Sequence, residues 1–140
     1  MHMRTTINID DAILGLRRTI QLDPEHYRAR INLGVLLRTQ GKLQESIAQL
    51  EAAQVMAPVS TSALSNLAVA YSLSGRSTEA EKTMRRAVEL SPKDAILHAN
   101  LAAVLQRIGK TDEAKQEMDL ARKLNPHIGR QQSEPRPSEP

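Results

Sequence analysis

The chain of 140 residues contains no cysteine. Without thiols it forms neither a disulfide nor a thiolate site, and a zinc site would have to consist of histidine and carboxylate ligands. The absence of disulfides is compatible with a reducing compartment, so we expect a cytoplasmic location. The four histidines show no HxxxH or HExxH spacing, and no metal site is therefore expected.

Aromatic residues are nearly absent, with two tyrosines and no phenylalanine or tryptophan. A core must therefore be built from Leu, Ile, Val, Ala and Met, a set that favours helices over strands. No apolar run approaches the length of a membrane span. The net charge is only +3, with acids placed between the basic residues, which argues against a nucleic-acid partner.

Sequence patterns typical of catalysis are also missing. The letters GKT at 109–111 resemble the end of a phosphate-binding loop, but Val104 stands where the opening glycine is required. Serine, histidine and aspartate are present without the pattern of a nucleophile elbow. We therefore predict that the chain is not an enzyme, has no catalytic residue and needs no cofactor.

What the sequence does contain is an internal period of 34 residues. The stretches INLGVLLRTQG, SNLAVAYSLSG and ANLAAVLQRIG, which begin at positions 31, 65 and 99, align in this frame without an insertion. A fixed period of this length is the signature of stacked structural repeats. The columns that share it include Asn32, Asn66 and Asn100; Gly41, Gly75 and Gly109; Glu45, Glu79 and Glu113; and Pro58, Pro92 and Pro126.

Each unit predicts two helices. In the second unit, apolar residues such as Leu67 and Tyr71 recur at helical spacing, and the first helix ends near Gly75. A second helix follows a polar turn, with Glu79 in its first turn, where the helix dipole favours a negative charge. This helix ends before Pro92, because proline lacks an N–H and restricts the residue before it.

The pattern resembles the tetratricopeptide repeat, a helix–turn–helix unit of 34 residues. The resemblance implies an all-α, right-handed α-solenoid of antiparallel helix pairs. The family's usual large aromatic residues are replaced in the first helices by Arg30, Leu64 and His98. The array spans residues 10–128 and consists of a half repeat at 10–26 and full repeats at 27–60, 61–94 and 95–128.

Two short segments flank the predicted array. Residues 1–9 form an N-terminal extension, and residues 129–140 form a polar, proline-rich tail that we expect to be disordered.

The resemblance also implies a protein-binding scaffold, because the first helices of such arrays line a concave groove that takes a peptide or a partner's helix. The repeated asparagines match the asparagine ladder of superhelical arrays, whose amides bond a peptide's main chain. The cationic clamp of chaperone-tail binders is not matched. An equal alternative is that the asparagines bond only to local backbone. The predicted peptide-binding site favours acidic ligands and comprises Asn32, Asn66, Asn100, Arg28, Arg38, Val35, Val69 and Arg107.

The half repeat lacks a first helix, so its apolar stripe has no partner in the repeat frame. The stripe consists of Ala12, Leu16 and Leu22, and Ile7 and Ile9 are candidates to fold back over part of it. Otherwise it is open to a partner protein, to a second copy of the chain in a homo-oligomer, or to a segment missing from this sequence.

Several functions are therefore in competition. The leading hypothesis is a non-enzymatic scaffold that binds a peptide or partner segment in the concave groove. The alternatives are a self-assembling module that uses the open N-terminal helix, and the recruiting arm of a larger enzyme. RNA binding by a pentatricopeptide array is disfavoured by the 34-residue period and by the absence of a concentrated basic groove.

Overall fold

The chain folds into a row of helix pairs, described over residues 8–129 by a computed structural model. Within that range it contains seven α-helices and no strand, which confirms the predicted all-α solenoid. Nearly all of the predicted extension and of the predicted disordered tail lies outside the described residues. The helices are α1 Ile9–Leu22, α2 Tyr27–Thr39, α3 Leu43–Met56, α4 Thr61–Leu73, α5 Ser77–Leu90, α6 Ala95–Arg107 and α7 Thr111–Leu124.

The turn inside each full repeat is set by its glycine. Gly41 has a φ of 79°, and the N–H of Lys42 donates to the carbonyl of Leu37 at 2.9 Å, as in a Schellman motif. This backbone conformation carries a steric penalty for a residue with a Cβ atom, so glycine is the residue that fits. Gly75 and Gly109 have φ values of 83° and 90°.

The two helices of a repeat begin in different ways. Each first helix has a side-chain cap, in which His26, Ser60 and Asp94 accept hydrogen bonds from the N–H groups of Ala29, Ala63 and Ile96. The second helices α3, α5 and α7 have no side-chain cap bond. They carry acids in the first turn instead, where a negative charge is stabilised by the helix dipole: Glu45, Glu79, Asp112 and Glu113.

Each helix packs against its neighbours in the sequence, so the apolar core extends along the whole row of helix pairs. The first helices also touch one another, α2 against α4 and α4 against α6, so that they form one continuous layer. Leu50 of α3 and Met84 of α5 are completely buried in the main core. Such burial depends on the adjacent repeat, as expected of a solenoid.

The first repeat has an unusually close helix crossing at Gly34. A Cβ atom added to Gly34 would lie 2.6 Å from Cγ of Leu50, nearer than real Cβ contacts allow. The buried hydroxyl of Ser46 donates to the carbonyl of Gly34 at 2.6 Å. Glycine is therefore required here by the approach of α3 and not by its own backbone angles.

The half repeat consists of α1, which packs against α2. Ile13 is buried in a separate apolar cluster with Leu33 and Leu37, and Leu16 and Ile20 pack against it while partly exposed. The face of α1 that points toward α2 is thus covered.

Candidate functional site

The three repeated asparagines occupy the same position in α2, α4 and α6. Because these helices form one layer, the three amides belong to one surface, here called the first-helix face. Their exposure differs: Asn32 is exposed, whereas Asn66 and Asn100 are half-buried. The repeat period alone does not reveal this difference.

Asn66 is held by the protein itself. Its Nδ2 donates to the carbonyl of Ser62 at 2.9 Å, and its Oδ1 accepts from Nη1 of Arg38 at 3.4 Å. The same Arg38 nitrogen also donates to the Asn66 carbonyl at 3.3 Å, and burial lowers the pKa of this guanidinium. An amide side chain offers two N–H donors and two acceptor sites, so half of the capacity of Asn66 is already used.

Asn32 and Asn100 differ from Asn66 in this respect. Within residues 8–129 neither amide side chain forms a hydrogen bond to another protein group. Ser72 occupies the position in the second repeat that Arg38 occupies in the first. Its hydroxyl donates to the carbonyl of Val69 and not to Asn100. Among the described residues, the amides of Asn32 and Asn100 therefore have no protein partner, while that of Asn66 is held by Arg38 of α2.

A cavity of about 370 Å³ opens beside Asn32, between α2 and α4. Two of the predicted binding residues, Arg28 and Asn32, line it. The guanidinium of Arg28 also lies 6.0 Å from the ring centre of Tyr27, a distance at the limit for a cation–π contact. This end of the first-helix face thus combines an amide, a guanidinium and a cavity.

Charge is distributed unequally between the first and the second helices of the repeats. The helices α2, α4 and α6 contain no aspartate or glutamate, whereas α3, α5 and α7 contain several. Arg28 and Arg107 are exposed at opposite ends of the first-helix layer, and Arg38 is half-buried between them. The layer that carries the asparagines is therefore positive or neutral throughout.

Some apolar residues contribute less to this surface than their spacing suggests. Val35 and Val69, both predicted binding residues, are half-buried and pack against the core. Ile31 and Ser72 share the helical spacing of the predicted groove, but each is more than nine-tenths buried. The predicted positions share one side of the helix, but the edge of that side is covered by the adjacent helices.

Sequence reasoning missed the bond between Arg38 and Asn66. Its signal is present in the sequence, because Arg38 is replaced by Ser72 and Gln106 in the later repeats. A long cationic side chain that faces an amide of the next repeat can be recognised in the sequence. This requires that the alignment of neighbouring first helices is known.

The predicted self-association residues lie on α1. Ala12 and Leu16 are half-buried, whereas the equivalent Ser46 and Leu50 of the first full repeat are completely buried. Leu22 is 89% exposed. The stripe thus remains partly open over the residues that the structure describes.

Between residues 8 and 129 no three histidine, cysteine or acidic side chains lie close enough to hold a metal ion. In the same range no helix has the length and apolar character needed to cross a bilayer.

Profiles described as tetratricopeptide repeat match residues 8–61, 36–95 and 71–132. No relative among curated proteins matches the chain.

Solved structures show the same fold at low sequence identity. A crystal structure of MamA is 22% identical, with a TM-score of 0.78, and the match covers 91% of this chain and 77% of that one. MamA from Desulfovibrio magneticus RS-1, from residue 41 to its end, is 21% identical with a TM-score of 0.76, over 86% of this chain and 68% of that one. TTC0263, a thermophilic tetratricopeptide repeat protein of Thermus thermophilus, is 20% identical with a TM-score of 0.76. The match covers 86% of this chain and 67% of that one.

Proposed function

Because the chain belongs to the tetratricopeptide repeat family, we propose that it is a non-enzymatic scaffold that binds a peptide or partner segment on its first-helix face. Arrays of this family serve as protein–protein interaction scaffolds. The observation that carries the proposal is the pair of amides at Asn32 and Asn100, which have no protein hydrogen bond within the described range. Each can donate to and accept from a peptide unit whatever its sequence.

The charge of the first-helix face supports an acidic ligand. Arg28 and Arg107 are exposed on a layer that contains no acid in its helices. An acidic segment would therefore meet a positive charge at both ends of the layer and no acid within its three helices. Because both guanidiniums are solvent-exposed, added salt should weaken the attraction.

The proposal is tested with two fluorescent peptide pools of equal length, one rich in aspartate and glutamate and one rich in lysine. We expect measurable anisotropy changes with the acidic pool only. The double variant Asn32→Ala, Asn100→Ala should weaken binding about 5- to 150-fold, because two hydrogen bonds contribute about 1–3 kcal/mol together. Asn66→Ala is the matched control and should weaken binding less.

Circular dichroism of each variant distinguishes lost binding from lost folding. Equal binding of both pools, or an unchanged affinity in the folded double variant, would contradict the proposal.

A second candidate function, self-assembly through α1, rests on a separate observation. Leu22 is 89% exposed, and Ala12 and Leu16 are only half-buried. A second copy that covers this stripe would bury them. Light scattering over a concentration series should then show dimers that Leu22→Ser weakens, while a monomer at every concentration would eliminate this function.

A further inference from the structure

Arg30 of α2 bonds to the turn before α2 and to α3. Its Nε and Nη2 donate to the carbonyl of Pro24 at 3.1 and 3.0 Å, and its Nη1 donates to Oε1 of Gln49 at 3.0 Å. The side chain of α2 therefore ties the preceding turn to α3. We call this arrangement the Arg30 clasp.

The third repeat has the same arrangement with different chemistry. Nε2 of His98 lies 2.7 Å from the carbonyl oxygen of Pro92, and Nδ1 lies 2.7 Å from Oε2 of Glu117. These three residues follow Arg30, Pro24 and Gln49 by two repeat periods. We call this arrangement the His98 clasp.

The second repeat has an apolar residue at the same position. Leu64 takes the place of the cation and is only 2% exposed, within the main core. Thr83 stands at the position of Gln49 and Glu117. The three repeats therefore fill the same position with three kinds of side chain: a permanent cation, an aliphatic residue and a titratable ring.

The geometry of the His98 clasp requires a charged ring. Both partners, a backbone carbonyl and a carboxylate, are hydrogen-bond acceptors. A neutral imidazole has one donor nitrogen and one acceptor nitrogen, so only the imidazolium donates to both. Since His98 is just 4% exposed, water does not readily replace a lost bond.

We propose that the His98 clasp is a proton-operated latch, in which the ring holds both α7 and the turn before α6 while it is charged and loses one of these two bonds when it loses its proton. The Arg30 clasp has the same geometry but stays closed at every physiological pH, because arginine remains protonated. The two outer repeats therefore differ in their response to pH.

The charges around His98 favour the closed state. Burial lowers the pKa of His98, but the hydrogen bonds to Glu117 and to the Pro92 carbonyl and the charges of Glu117 and Asp94 outweigh it, so the pKa is raised. Among the described residues, Glu117 belongs to α7 and Asp94 caps α6, and α4 and α5 add no charged group that acts on the ring. The stabilisation is complete below the unfolded value of about 6.5 and is lost as pH rises through the raised folded value.

His26 is replaced in the measurement so that His98 is the histidine under comparison. Its Nδ1 accepts from the N–H of Ala29 at 3.0 Å and caps α2. His26→Asn keeps a side-chain cap at this position, because asparagine is a strongly preferred N-cap residue.

The test compares three proteins in the His26→Asn background by thermal unfolding from pH 5.5 to 8.5. With His98 present we expect the Tm to fall by about 3–6 °C over this range. The variant His98→Arg copies the first repeat, and His98→Leu with Glu117→Thr copies the second. Both should show a smaller fall or none, and an equal fall in all three would overturn the proposal.

Two further measurements on the unaltered chain do not depend on whether the variants fold. Nitrogen NMR of the His98 ring at pH 6 should show a proton on both nitrogens, and a neutral ring there would overturn the latch. Hydrogen exchange, corrected for its intrinsic pH dependence, should show α6 and α7 losing protection relative to α4 and α5 as pH rises. Equal behaviour of the two pairs would also contradict it.

Discussion

The first full repeat and the two that follow it build the same helix crossing from different side chains. In the first, Gly34 faces the branched Leu50, whose Cγ occupies the space of a Cβ atom. Methionine is unbranched and adapts to its surroundings, which leaves room for a methyl group on the opposite helix. The equivalent pairs in the later repeats are Ala68 with Met84 and Ala102 with Met118.

This difference shows that the repeat positions are not independent. The volume at one position of the first helix is matched by the shape of the side chain at one position of the second, as close packing demands. Ser46 also takes part in the crossing of the first repeat, because its hydroxyl donates to the Gly34 carbonyl. In the later repeats the position of Ser46 is occupied by Ala80 and Ala114.

Truncating the second-helix member of each pair should destabilise the chain most. Leu50→Ala and Met84→Ala should each reduce the free energy of unfolding by about 2–5 kcal/mol, because both side chains are completely buried. Met118→Ala should reduce it by less, since Met118 is half-buried on α7, against which no further helix packs in the described range. Denaturant unfolding measures all three, and an equal loss at Met118 would contradict the role of the neighbouring repeat.

Gly34→Ala tests the pairing itself. We expect a loss of about 1–3 kcal/mol, because the new Cβ atom collides with Leu50. Adding Leu50→Met should recover most of this loss, since the double variant reproduces the pair found in the second repeat. A double-mutant cycle by denaturant unfolding gives the coupling energy, and simple additivity would mean that the two positions are not matched.

Ser46→Ala should have the smallest effect, a loss of about 0.5–1 kcal/mol. The variant loses one hydrogen bond to the Gly34 carbonyl, while alanine has the better helix propensity and is tolerated in the equivalent Ala80. The measurement is again denaturant unfolding. A loss as large as that of Leu50→Ala would show that the hydroxyl and not the close packing holds this crossing.

Much of the fold could be predicted from the sequence, because the period fixes where helices stop. Gly41 and its equivalents require a positive φ at the end of each first helix, and Pro24 and its equivalents follow each second helix. These are local effects that depend on one residue type at one position.

The remaining features depend on which side chains meet across a crossing. The bond between Arg38 and Asn66 joins two repeats, and the His98 clasp joins a turn to two helices. In sequence, His98 is only a departure from the family's aromatic residue, and its partner Glu117 lies 19 residues further on. Neither contact follows from periodicity, because each depends on the rotation and separation of neighbouring helices.

Binding of a partner segment to the first-helix face through Asn32 and Asn100 is best tested by NMR of the asparagine side chains. The acidic peptide that binds best is titrated into the isotope-labelled chain, and the side-chain NH₂ signals are followed. We expect the signals of Asn32 and Asn100 to move with saturation, while that of Asn66, already bonded to Ser62 and Arg38, moves little. Unchanged signals of Asn32 and Asn100, with responses in α1 or in the second helices instead, would show that the segment binds elsewhere.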